Sequence, residues 1–123
     1  MATLEGKSLN SPDETMTPPN ARIDTVKLGG VASFARVVLQ PGWRWSEHMK
    51  PIAGTESCPA LHTGYVVSGR LRVRMDDGTE GEFGASDAAV VPPGHDAWVV
   101  GDEPCVMVDF TAGEELVRYL GTR

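Results

Sequence analysis

The 123-residue chain holds few of the residues that announce a chemistry: three histidines and two cysteines. It has no Gly-x-Ser-x-Gly elbow, no phosphate-cradling glycine loop and no Cys-x-x-Cys pair, so it carries no signature of a serine hydrolase, a nucleotide enzyme or a dithiol redox protein. No window reaches the roughly 18 apolar residues of a membrane helix. Met1 to Asn20 lacks the apolar segment of a secretory leader, so a soluble cytoplasmic protein with reduced thiols is expected, without a disulfide. Basic residues number 11 against 17 acidic ones, for a net charge of −6. A phosphate backbone is repelled by that balance, so nucleic acid is not an expected partner, and neither is a membrane. The one basic cluster, Arg70, Arg72 and Arg74, alternates with Leu71, Val73 and Met75. It reads as the solvated face of a strand.

What is abundant is punctuation. There are 14 Gly and 9 Pro, many of them between short apolar runs, which favours short strands and tight turns over helices. Met1 to Asn20, with Ser11-Pro12-Asp13-Glu14 and Thr17-Pro18-Pro19-Asn20, reads as an extended N-terminal arm over 1–20. Residues 21–123 suit a single domain. Strands are expected over Ile23 to Leu28, Val31 to Leu39, His62 to Ser68, Arg70 to Met75, Thr79 to Phe83, Ala88 to Val91, His95 to Val100 and Pro104 to Phe110. Trp43 to Lys50 also alternates, with His48 and Lys50 on one side. Asp77-Gly78 signals a two-residue hairpin of type I′. Leu116, Val117 and Leu120, with Glu114 and Glu115 ahead of them, predict a short C-terminal helix over Ala112 to Leu120. Eight to ten short strands with hairpin-like connections mean an all-β jelly roll, sandwich or barrel.

In two places the residues resemble the cupin family. That family's first motif runs glycine, five residues, His-x-His, a loop, glutamate, six residues, glycine. Here Gly42 is followed by five residues and His48, Lys50 holds the second histidine position, and His62 stands where glutamate is expected ahead of Gly69. Its second motif contains Pro-x-Gly-x-x-His. Here Pro92-Pro93-Gly94 fits, Ala97 holds the histidine position, and His95 lies two residues earlier. The resemblance covers Val31 to Phe110. It implies a double-stranded β-helix, the jelly-roll barrel of the cupins, in which the motif residues point inward and hold a divalent metal. It also implies a homodimer. The stretch Pro51 to Leu61 would lie over the barrel mouth and offer Glu56 and Cys58 to the site.

Three imidazoles in the two motif regions suit a divalent ion such as Zn, Fe, Mn, Ni or Cu, so His48, His62 and His95 are the candidate metal ligands. Lys50 beside His48 opposes a cation unless it is paired or turned away. The competing arrangement is a polar pocket without metal, in which the histidines hydrogen-bond a small anionic ligand, such as a carboxylate met by Lys50 or Arg44. Cys58 and Trp98 are further candidates for ligand binding. The bland alternative is a set of ordinary hydrogen-bonded histidines. The leading reading is thus a small-molecule-binding barrel with a divalent metal. A metal-dependent dioxygenase, isomerase or lyase is the alternative, and a dimer built through the arm and the C-terminal helix is a third.

Overall fold

The computed structural model describes residues 4–112. The helix expected over Ala112 to Leu120 lies outside them, except for Ala112, which ends a strand. The strands are β1 (Glu14–Met16), β2 (Ala21–Leu28), β3 (Ala32–Leu39), β4 (His62–Ser68), β5 (Arg70–Met75), β6 (Glu80–Gly84), β7 (Ala88–Val91), β8 (His95–Val99) and β9 (Cys105–Ala112). They form a six-stranded sheet in the order β1-β2-β3-β9-β4-β7 and a three-stranded sheet in the order β6-β5-β8. Every pairing is antiparallel. The result is an antiparallel jelly roll. Among the described residues no helix is long and apolar enough to cross a membrane.

The inward residues of the two sheets make one core: Leu39, Val66, Leu71, Val73, Val91, Val99 and Cys105, closed at one end by Trp43 and Trp45. Burying each large aliphatic side chain contributes about 1.5–3 kcal/mol. Two of the three arginines on the outer face of β5 are paired across the strands. Arg72 bonds Glu80 at 2.8 Å and Glu82 at 3.3 Å, and Arg70 also bonds Glu82. Such pairs at a solvated surface add little stability, and they neutralise Arg70 and Arg72 on this face.

The N-terminal arm folds back onto its own chain. Thr15 Oγ1 donates to Asp24 Oδ1 at 2.8 Å, and Arg22 and Arg36 approach the same carboxylate at 3.0 and 3.7 Å. The hydrogen bond from Arg22, then that from Thr15, holds the Asp24 carboxyl below its ordinary range.

Two local expectations are corrected. Trp43 to Lys50 is not a strand: Trp45–His48 forms one helical turn, α1, and Lys50–Ala53 another, α2. The Arg44 carbonyl accepts from the N–H groups of Glu47 and His48, and Ser46 N is held by Asp96 Oδ1 at 3.0 Å. Trp45 and Met49 are four residues apart, an even number, so a helical turn puts them on one face just as a strand does. The hairpin after β5 is also not a two-residue type I′ turn. Gly78 N bonds Met75 O and Met75 N bonds Thr79 O. Gly78 has φ 92°, whereas Asp77 stays at negative φ, and type I′ needs positive φ at both central residues.

The corner between the sheets is Gly69, at φ 79° between β4 and β5. A Cβ there would strike the Pro104 carbonyl and the Cys105 Cα, both backbone. Gly69→Ala is therefore expected to destabilise the protein by about 1–3 kcal/mol, read from the midpoint of urea unfolding. An unchanged midpoint would mean that the corner relaxes freely.

Candidate metal centre in the barrel

Between the sheets lies a cavity of about 340 Å³. Its wall is apolar except at one end, where Cys58, His62, His95 and Asp109 meet, and for the indoles of Trp43 and Trp45. One ligand atom from each of Cys58, His62 and His95 lies within 4.8 Å of the others.

Each member is positioned by a different element. His62 opens β4, and alternation turns it inward with Gly64 and Val66. His95 opens β8 directly after Gly94, whose φ is 90°. Cys58 comes from the loop after α2 and is strapped to β8 by an isolated antiparallel bridge. Cys58 N donates to His95 O at 2.9 Å and Gly94 N donates to Cys58 O at 2.7 Å. Asp109 comes from β9, opposite Gly64. A side chain at Gly64 would collide with the Val108 carbonyl and the Asp109 carboxylate, so glycine there leaves Asp109 the room to reach His62.

The hydrogen bonds run in sequence. Asp109 Oδ2 accepts from His62 Nδ1 at 3.0 Å, and His62 Nε2 lies 3.6 Å from Cys58 Sγ. His95 Nδ1 is 2.7 Å from the Pro92 carbonyl. A carbonyl only accepts, so Nδ1 carries the proton and Nε2 is the nitrogen left for the cluster. The two imidazole rings meet edge to face, 5.2 Å between centroids. The Asp109 hydrogen bond, then that of Cys58, raises His62 to about 9 against the effect of burial. Burial alone would raise the Cys58 thiol. Hydrogen bonds from His62 and His95 and from the Ala60 backbone outweigh it and bring Cys58 down to about 6. Both shifts favour the thiolate–imidazolium form of the pair, braced by the Asp109 carboxylate.

Of the expected site residues, the structure brings together His62, His95 and Cys58. It sets His48 apart. In α1 its Nδ1 accepts from Arg44 N at 3.1 Å, and its Nε2 lies 3.4 Å from the Asn20 amide. His48 is absent from the cavity wall, as are Arg44, Lys50 and Trp98. Helical rather than extended backbone at Trp45–His48 is the physical reason, because it breaks the alternation that would have turned His48 and Lys50 inward. Arg44 stacks on Trp98, 4.3 Å from the ring centroid, and lies 3.8 Å from Asp96. Lys50 pairs with Glu56 at 3.1 Å. Asp109 escaped the sequence reading. Its only signal was a lone carboxylate in the apolar run Cys105 to Phe110.

In ion-free protein, alkylation of Cys58 by iodoacetamide is expected to speed up with pH around a midpoint near 6. Cys105, pushed up to about 11 by burial, should stay unreacted. Asp109→Asn weakens the imidazolium and should move the Cys58 midpoint upward. A native midpoint at the ordinary thiol value of about 8.5 would contradict the His62 contact.

No family model and no curated protein matches the chain. Solved structures do. A variant of Bacillus subtilis oxalate decarboxylase superposes with TM-score 0.61 at 20% identity, over 83% of this chain and 28% of that one. The Lactobacillus farciminis oxalate decarboxylase formate complex gives 0.61 at 20% identity, over 89% of this chain and 35% of that one. The Schizosaccharomyces pombe Cnp3 cupin domain gives 0.60 at 14% identity, over 94% of this chain and 80% of that one. The chain thus spans about a third of the length of these two decarboxylases. At such identities the likeness is one of architecture: the chain has the cupin fold.

Proposed function

We propose that the protein binds a small molecule inside its barrel beside a divalent ion held by Cys58, His62 and His95. The convergence of three donors on one end of the cavity carries this reading. With Zn–S near 2.3 Å and Zn–N near 2.0–2.1 Å, the S···N edge of a tetrahedral site is about 3.5 Å. The Cys58–His62 separation of 3.6 Å fits that edge. His95 favours an ion over a plain nucleophilic thiol, because a Cys-His-Asp relay is complete with one imidazole, whereas a metal site needs a third donor.

The donor set narrows the ion. One thiolate and two imidazoles suit Zn, Fe, Ni or Cu, and suit the harder Mn least. One Bacillus subtilis oxalate decarboxylase structure is described by its Mn(II) centres, so the fold likeness does not transfer the metal. Asp109 fixes the ring and tautomer of His62, and the Pro92 carbonyl does the same for His95. Bound there, an ion supplies Lewis-acid polarisation. Catalysis is the second reading: three protein donors would leave a four-coordinate ion one position for water or substrate.

Protein purified without an affinity tag should carry about one ion per chain. His62→Ala, His95→Ala and Cys58→Ser should each abolish uptake, while His48→Ala leaves it intact. Asp109→Asn should weaken affinity about 10–100-fold. Loss of the ion in His48→Ala with retention in His95→Ala would contradict the assignment. Because His62 holds its proton up to about 9, an ion must displace it. Affinity should therefore rise from pH 7 to 9 with about one proton released per ion, measured by titration calorimetry in buffers of different ionisation enthalpy.

A further inference from the structure

We propose that the occupant of the cavity is a compact, neutral, largely apolar molecule with a single lone-pair donor, such as an aryl ketone or a small alcohol, rather than a carboxylate. This rests on the metal-site reading above and names the class of ligand that the same site accepts. The first ground is the wall. Beyond the Cys58, His62, His95 and Asp109 end, a ligand meets residues such as Ile23, Val37, Leu39, Val73, Val91 and Met107. Among the described residues no lysine, arginine, serine, threonine, asparagine or glutamine lines the space, and away from the donor end the Trp43 and Trp45 indoles are its polar groups. Most polar groups of a sugar or a nucleotide, and a second carboxylate, would be buried there without partners.

The second ground is charge. Arg44 and Lys50, the cations from which anion binding was expected, lie off the wall and are engaged by Trp98 and Glu56. With a divalent ion bound, the formal charges at the polar end are those of the ion, its thiolate ligand Cys58 and the Asp109 carboxylate beside His62, and their sum is zero. A neutral ligand preserves that balance, whereas an anion adds an uncompensated charge beside Asp109 in an apolar chamber. The third ground is size. A dry cavity of about 150 Å³ accepts benzene, so about 340 Å³ takes a substituted ring or a short branched chain.

The test uses the full chain loaded with Co(II), whose thiolate charge-transfer bands report both ion and ligand. Emission of Trp43 and Trp45, which line the cavity, is a second readout. Acetophenone, benzoate and acetone are the probes. The first two differ by charge at nearly equal shape, and acetone lacks the ring. Acetophenone should shift the bands and quench emission saturably, and bind at least about tenfold tighter than benzoate and than acetone. Benzoate binding as tightly as acetophenone would overturn neutrality. Acetone binding as tightly would overturn the apolar body.

Absence of cobalt bands would count against the metal site instead. Acetophenone is then titrated into ion-free protein. Saturable quenching still supports the ligand class, and its absence overturns it. Val37→Trp fills the chamber away from the donors, so cobalt bands should persist while the acetophenone response disappears. Ala35→Leu gives the same trend more weakly if the tryptophan variant does not fold. An undiminished response in both would place the ligand elsewhere and defeat the proposal.

Discussion

Two backbone hydrogen bonds, from Cys58 N to the His95 carbonyl and from Gly94 N to the Cys58 carbonyl, determine what this barrel contains. They pin an irregular loop to the first residue of β8, so a thiol from one part of the chain faces an imidazole from another. Without them Cys58 is a lone loop cysteine, the weakest kind of functional signal. The pairing of β9 against β4 completes the cluster, because it sets Asp109 opposite Gly64, within reach of His62. The site therefore depends on sheet register, and register in a jelly roll is secured by the inward apolar residues on both sheets.

The electrostatics follow from where those groups are placed. A thiolate, an imidazolium and a carboxylate at the edge of an apolar cavity are costly singly and tolerable only in contact. The separations, 3.6 Å and 3.0 Å, are what let Cys58 fall to about 6 and His62 rise to about 9. A divalent ion held by Cys58, His62 and His95 would meet donors already turned toward one another, so little reorganisation would oppose binding. The apolar remainder of the wall would then favour, for any molecule sharing the chamber, one that brings no charge of its own.

Much of the fold was legible because strand alternation and Gly or Pro punctuation are local properties. Arg70 to Met75 and His62 to Ser68 could be read directly, and Gly69 marked the corner that located His62. The misread segment, Trp43 to Lys50, shows the limit of such reasoning. Trp45 and Met49 satisfy both periods, and the Asp96 bond to Ser46 N, a contact across 50 residues that helps hold the helical turn, is invisible to local patterning. His48, Lys50 and Arg44 were misplaced with it. Asp109 was illegible for a related reason. A single carboxylate in an apolar strand shows that something compensates it, but the partner is named only by strand pairing. Cys58 was visible as a residue and not as a neighbour of His95.

The most direct test of the barrel's chemistry is X-ray absorption at the edge of the metal carried by the purified protein. One sulfur near 2.3 Å and imidazole nitrogens near 2.0–2.1 Å are expected around the ion. A shell of nitrogen and oxygen alone, or a protein that holds no ion in any preparation, would contradict a centre built from Cys58, His62 and His95.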